Sequence, residues 1–271
     1  MNQDVDALYP SLSALAKIHN KDLNGLAKSS SMSHHTYIGL ADCCSYVFND
    51  RHRWANADCA NYLATLNEYV RQLGPLQAEH VWGQLIKGAE STFLDTLGEA
   101  TWYLHFKNEG HSVAVHVPFD DTNLSSGDAD LVVTVGTKQW WLDVYSIGAT
   151  RPNLPRKDQS PYPFSGRTLD SIVTEIGKRA IKKYHSKFKK AVRAGHLKGR
   201  LLGLLICILK REPTFLLPLT DGRRDGHEVS PPSNLFRQDQ TGLDMVYVHT
   251  LRARVGSELL RPLVLCKWQR E

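Results

Sequence analysis

Two apolar runs near the middle of the chain carry carboxylates where a sheet tolerates them poorly, and this limits what the chain can fold into. They are Gly127-Asp128-Ala129-Asp130-Leu131-Val132-Val133-Thr134-Val135 and Gln139-Trp140-Trp141-Leu142-Asp143-Val144-Tyr145. β-Branched and aromatic residues dominate both, so each reads as a strand buried on at least one face. Gly136-Thr137-Lys138 between them is a short glycine-containing turn, which predicts an antiparallel hairpin. That pairing brings Asp130 and Asp143 near one another on adjacent strands. An ionised carboxylate there is costly unless a cation or strong donors compensate it. Two acids held close in an apolar sheet point to a hard-cation site, because oxygen ligands suit Mg²⁺.

The rest of the pattern places this hairpin in an α/β domain. Residues 1–88 read as helical: Leu12, Leu15 and Ile18, then Tyr62, Leu63, Leu66, Tyr69, Val70 and Leu73 fall at helical spacing, the second set ending at Gly74-Pro75. Ser29 to His35 is a polar, loop-like stretch. From residue 89 the pattern changes. Glu90 to Glu109 predicts a helix that is apolar nearly all round, stopped by Gly110, and His111 to Pro118 alternates as a strand. The two acid-bearing strands follow. Gly148 to Arg167 holds four prolines and reads as a long irregular loop. Thr168 to Ala194 predicts a helix, and Leu201 to Leu209 a central buried strand. Pro218 to Ser233 reads as a polar loop, with late strands near 243–250 and 262–267. The expected organisation is a helical N-terminal region, 1–88, and an α/β domain, 89–271, with its core at 89–210 and strand additions at 211–271.

Composition narrows the partners. A net charge of +5 is modest, but ten Lys or Arg and no Asp or Glu lie between Lys178 and Arg200. A basic stripe on one element is the usual footprint of a polyanion, and Lys178, Arg179, Lys182 and Lys190 are the expected phosphate contacts. The five cysteines are odd in number and irregularly spaced, and the N-terminal stretch is polar, with Asp4 and Asp6. Reduced thiols in a cytoplasmic protein are expected, and no apolar run reaches membrane-spanning length.

The order α-β-β-β-α-β, with an acid opening the second strand and another late in the third, resembles the PD-(D/E)XK (restriction-endonuclease-like) nuclease superfamily. Gly127-Asp128-Ala129-Asp130 stands for its Pro-Asp element, Trp141-Leu142-Asp143-Val144-Tyr145 for its (D/E)XK element, and Gly98-Glu99 for the acid of its first helix. The resemblance covers residues 89–210 and implies a restriction-endonuclease-like αβββαβ core with a mixed sheet. It implies Mg²⁺ (or Mn²⁺) held by Asp130, Asp143 and Glu99, with Glu90 as the other helical candidate and Asp128 the alternative to Asp130. The implied activity is hydrolysis of DNA phosphodiester bonds by a stand-alone endonuclease, such as a prokaryotic defence or toxin-like effector, with an RNase on the same fold a more distant reading. A protein partner or a homodimer stays open.

One position departs from that pattern. The superfamily carries a lysine two residues after the last acid, and this chain has Tyr145. Three readings compete. The lysine has moved to the second core helix; Tyr145 or Ser146 serves as a hydrogen-bond donor; or the site is dead and the fold is kept to bind nucleic acid or protein. On the helix 168–194 the apolar stripe runs Ile172, Val173, Ile176, Ala180, Tyr184 and Phe188. At about 100° per residue, Lys187 falls within that stripe and Lys183 at its edge, while Lys178, Lys182 and Lys189 point away. A migrated lysine is therefore expected at Lys187 first and Lys183 second.

Overall fold

The computed structural model describes residues 2–30, 39–49, 53–86, 90–120, 122, 127–147, 169–208, 223–224, 227–228, 242–253 and 258–269. Among them the chain forms α1 (Val5–Leu8), α2 (Pro10–Ile18), α3 (Leu23–Ser29), α4 (Leu40–Asn49), α5 (Arg53–Gln72), α6 (Pro75–Leu85) and α7 (Glu90–Asn108). There follow β1 (Ser112–Pro118), β2 (Asp128–Val135), β3 (Lys138–Ile147), α8 (Leu169–Lys187), α9 (Lys189–Arg193) and β4 (Leu201–Ile208). The two-residue strands β5 (Arg223–Arg224) and β6 (His227–Glu228), then β7 (Met245–Ala253) and β8 (Leu260–Gln269), complete the order. The expected loop 148–167 and most of 218–233 lie outside the described residues, as does most of the polar stretch after Ser30.

Two compact units result: Met1–Gly110 with Leu251–Pro262, and His111–Thr250 with Leu263–Glu271. In the first, local chemistry sets the helix starts. The carboxylates of Asp4 and Asp22 accept backbone N–H bonds at the N-termini of α1 and α3, and Pro10 and Pro75 open α2 and α6. Asp6 ties this corner together by accepting from the Ser13 hydroxyl and the Leu23 and Asn24 N–H groups. The change of sequence pattern falls at residue 89, yet α7 groups with the helices before it. Both of its stripes are buried, Phe93, Leu97 and Leu104 on one and Trp102 and Tyr103 on the other, and Tyr69 of α5 meets Tyr103 edge-on at 5.1 Å between ring centres. An all-round apolar helix needs neighbours on every side, which a helical cluster supplies. Among the described residues no helix is long and apolar enough to cross a membrane.

The second unit is built on a mixed sheet of order β1-β2-β3-β4-β7-β8. β1–β2 and β2–β3 are antiparallel; β3–β4 and β4–β7 are parallel. The expected hairpin is β2–β3. Val135 pairs with Lys138, so its loop is the two residues Gly136-Thr137, and Gly136 takes φ +59°, the left-handed conformation such turns need. The run Leu201 to Ile208 lies inside the sheet, and Leu202 to Cys207 are buried as its unbroken apolar character requires. One face of the sheet packs on α8 and α9: Val132, Trp141, Leu202, Leu204, Ile206, Val246 and Val248 form one core with Ala180, Tyr184, Phe188 and Ala191. The helix expected over 168–194 is divided at Phe188. Backbone bonds still run through the division, from Phe188 N–H to the Tyr184 carbonyl and from Val192 N–H to the Phe188 carbonyl. Gly195, at φ +83°, then ends α9 with the His196 N–H reaching back to Ala191.

Candidate carboxylate–lysine site

Strand parity assembles the acids. Leu131 pairs with Leu142, so Asp130 and Asp143 follow as neighbours across the hairpin. Asp128, Asp130 and Val132 share one face of β2, and Trp141, Asp143 and Tyr145 the matching face of β3, which is the face that α8 covers. Asp130 Oδ2 accepts the Val144 N–H at 2.8 Å, locking that carboxylate to the next strand. Lys183 and Lys187 lie one turn apart on α8, so both ammonium groups descend on the same side of the helix.

Five side chains, three carboxylates and two ammonium groups, converge tightly. Lys187 Nζ lies 2.7 Å from Asp143 Oδ1, 2.8 Å from Asp130 Oδ1 and 3.5 Å from Asp128 Oδ1. Lys183 Nζ lies 3.2 Å from Asp143 Oδ2. The same ammonium stands over the Tyr145 ring, 5.0 Å from its centre. Asp143 is 0% exposed, and among the described residues neither of its oxygens has a hydrogen bond of ordinary geometry. The two lysines hold it as ion pairs. Burial, with the Asp130 charge beside it, pushes the Asp143 carboxyl up to about 6, against the pull of Lys187 and Lys183. Burial disfavours the Lys187 ammonium too, but Asp143 and Asp130 outweigh it and hold this lysine above the ordinary lysine range. The paired carboxylates thus favour the ammonium form of Lys187. With every group ionised, three carboxylates face two ammonium groups, and the cluster retains negative charge.

The sequence pattern placed most of this correctly on the elements and missed one neighbour. Lys187 reaches the acids as its place in the apolar stripe of α8 predicts, and Lys183 reaches Asp143 from the edge. Lys178, Lys182 and Lys190 are exposed; the side chain of Arg179 lies outside the described residues. Glu99 belongs to α7 in the helical unit, where it is 6% exposed and accepts a short hydrogen bond from the Tyr69 hydroxyl. It is therefore no exposed surface carboxylate. Of Glu90 only the backbone is described. The missed neighbour is His116. The β1–β2 register runs Val115 opposite Leu131 and Val117 opposite Ala129, and His116 between them has φ +49°. Its Nδ1 lies 4.0 Å from Asp128 Oδ2. Regular alternation in His-Ser-Val-Ala-Val-His-Val-Pro carries no sign of a left-handed residue, so periodicity had no means of finding it. A non-glycine residue in that conformation costs on the order of 1–3 kcal/mol and tends to occur where function holds it.

The donor set suits a hard cation. Among the described residues no three His, Cys, Asp or Glu side chains converge as a preformed metal cage. Magnesium, however, is commonly held by one or two carboxylates with water and substrate completing its shell, and Asp130 and Asp143 supply two. Asp143 in particular is a fully buried carboxylate with Lys187 at Oδ1, Lys183 at Oδ2 and the Asp130 carboxylate beside it. Comparison with known proteins identifies no relative: no family model matches, and neither a curated protein nor a solved structure resembles the chain closely enough to count.

Proposed function

We propose that this chain is a metal-dependent endonuclease acting on DNA, with a restriction-endonuclease-like core in which a helix lysine replaces the one missing from the third strand. The observation that carries this reading is the Lys187 ammonium, 2.7 Å from Asp143 and 2.8 Å from Asp130. It supplies from α8 the positive charge that Tyr145 does not supply from β3. In this reading Asp130 and Asp143 hold Mg²⁺ or Mn²⁺, with the Val144 carbonyl beside them. When bound, the metal supplies Lewis-acid polarisation of the scissile phosphate and acidifies a water. The protein's own groups do the rest. Lys187, held protonated, donates to the phosphoryl oxygens as negative charge develops on them. Lys183 adds a second cation at Asp143. Lys178, Lys182 and Lys190, exposed on α8 and α9, contact the phosphate backbone.

The test is cleavage of supercoiled plasmid DNA with Mg²⁺ or Mn²⁺, alongside a parallel digest of RNA. Wild-type protein is expected to cut DNA, and Asp130→Ala and Asp143→Ala to lose the activity. Wild-type protein that cuts no nucleic acid with either metal overturns the reading. One observation favours a second reading, a nuclease fold kept for binding: every carboxylate of the cluster already faces an ammonium group. Nucleic-acid binding in a gel shift that neither EDTA nor Asp143→Ala affects would select that alternative.

A further inference from the structure

Tyr145 occupies the strand position from which a lysine would reach the acids, two residues after Asp143. Its ring is partly buried on the face covered by α8. Strand alternation puts Asp143 and Tyr145 on the same side, so a ring at 145 borders whatever faces the Asp143 carboxylate. The group that lies there is Lys183, its Nζ 5.0 Å from the ring centre and 3.2 Å from Asp143 Oδ2. A cation within about 6 Å of an aromatic face is attracted by the ring quadrupole. Lys183 is long and only partly buried, with 24% of its side chain exposed, so without such a wall its ammonium has solvent-facing rotamers to escape into. Lys187 differs, because Asp130 and Asp143 hold it from two strands at once.

We propose that Tyr145 is a positioning residue: its ring face holds the Lys183 ammonium against Asp143, so that the tyrosine keeps a second cation from α8 at that carboxylate beside Lys187. The role belongs to the ring and not to the phenol. A phenylalanine therefore performs it, an aliphatic residue does not, and a lysine at 145 makes Lys183 dispensable. The catalytic part of this statement rests on the nuclease reading; the positioning part does not.

The experiment reads the two parts separately. Lysine accessibility in the whole chain is measured by reductive methylation and mass spectrometry, with exposed Lys182 and Lys187, paired to two carboxylates, as internal references. Lys183 is expected to react more slowly than Lys182 in the wild type and in Tyr145→Phe. In Tyr145→Leu its rate should rise toward that of Lys182 while Lys187 stays slow. Lys183 as protected in Tyr145→Leu as in the wild type, or deprotected in Tyr145→Phe, overturns the proposal. Should Tyr145→Leu unfold, as Lys187 becoming reactive would reveal, the wild-type NMR spectrum decides. Ring-current-shifted ε-methylene protons on Lys183 support the proposal, and unshifted ones refute it. In cleavage assays Tyr145→Leu is expected to lower kcat about tenfold with KM unchanged, Tyr145→Phe to retain kcat, and Tyr145→Lys to rescue Lys183→Ala. A wild type that cuts nothing removes the nuclease reading and leaves the methylation result to judge the positioning.

Discussion

Lys187 Nζ lies 2.7 Å from Asp143 Oδ1, joining a helix to a strand carboxylate that is 0% exposed. Removing one partner of a buried pair leaves the other charge uncompensated, which typically costs about 3–5 kcal/mol. Lys183 remains beside Asp143 and offsets part of this, so Lys187→Met is expected to cost about 3 kcal/mol in urea unfolding. Lys187→Met combined with Asp143→Asn should cost less than the two changes summed, because the stranded charge is gone. Additive losses would mean that the two groups do not interact.

Acid stability should show two opposing contributions. His249 on β7 is fully buried, and burial pulls its imidazole down to about 3. The fold favours the neutral form, so this stabilisation is present above the unfolded histidine value near 6.5 and is lost as pH falls below it. Between pH 7 and 5 the loss is about 2 kcal/mol. Asp143, pushed up to about 6, behaves in the opposite sense: the fold favours its neutral form, and that stabilisation is present at low pH and lost as pH rises through 6. Unfolding measured across pH 5 to 7 should therefore be less acid-sensitive in His249→Gln than in the wild type, and more acid-sensitive in Asp143→Asn than in the wild type. Parallel curves for all three proteins would contradict both assignments.

His116 holds φ +49° beside Asp128. Glycine takes this conformation without the steric cost, so His116→Gly is expected to be about 1 kcal/mol more stable than His116→Ala. His116→Ala keeps the strain and loses the ring, so it should be the less stable of the two. Thermal unfolding of the pair checks the order. A site role for the imidazole would appear as lost DNA cleavage in the more stable variant.

The hairpin and its two acids were legible because a short glycine turn fixes register, and register fixes which side chains share a face. Lys187 was legible for a related reason: a lysine inside an apolar stripe must reach inward with the stripe. The β4 strand announced itself as an unbroken apolar run. What escaped depends on long-range packing or on single dihedrals. Glu99 is buried against Tyr69, a partner that no local spacing encodes. The grouping of α7 with the helices before it follows from burial of both its stripes, which allows neighbours on either side. The left-handed turn at His116 leaves no trace in an alternating strand.

The central claim is that Lys187 supplies the cation of an Asp130–Asp143 nuclease site. Single-turnover cleavage of a labelled DNA duplex, with metal and enzyme in excess, tests it most directly when wild type and Lys187→Met are compared and duplex binding is measured alongside. The expected result is metal-dependent cleavage by the wild type, slowed by about 10²–10³ in Lys187→Met, with binding largely retained. Equal cleavage rates in the two proteins would contradict it.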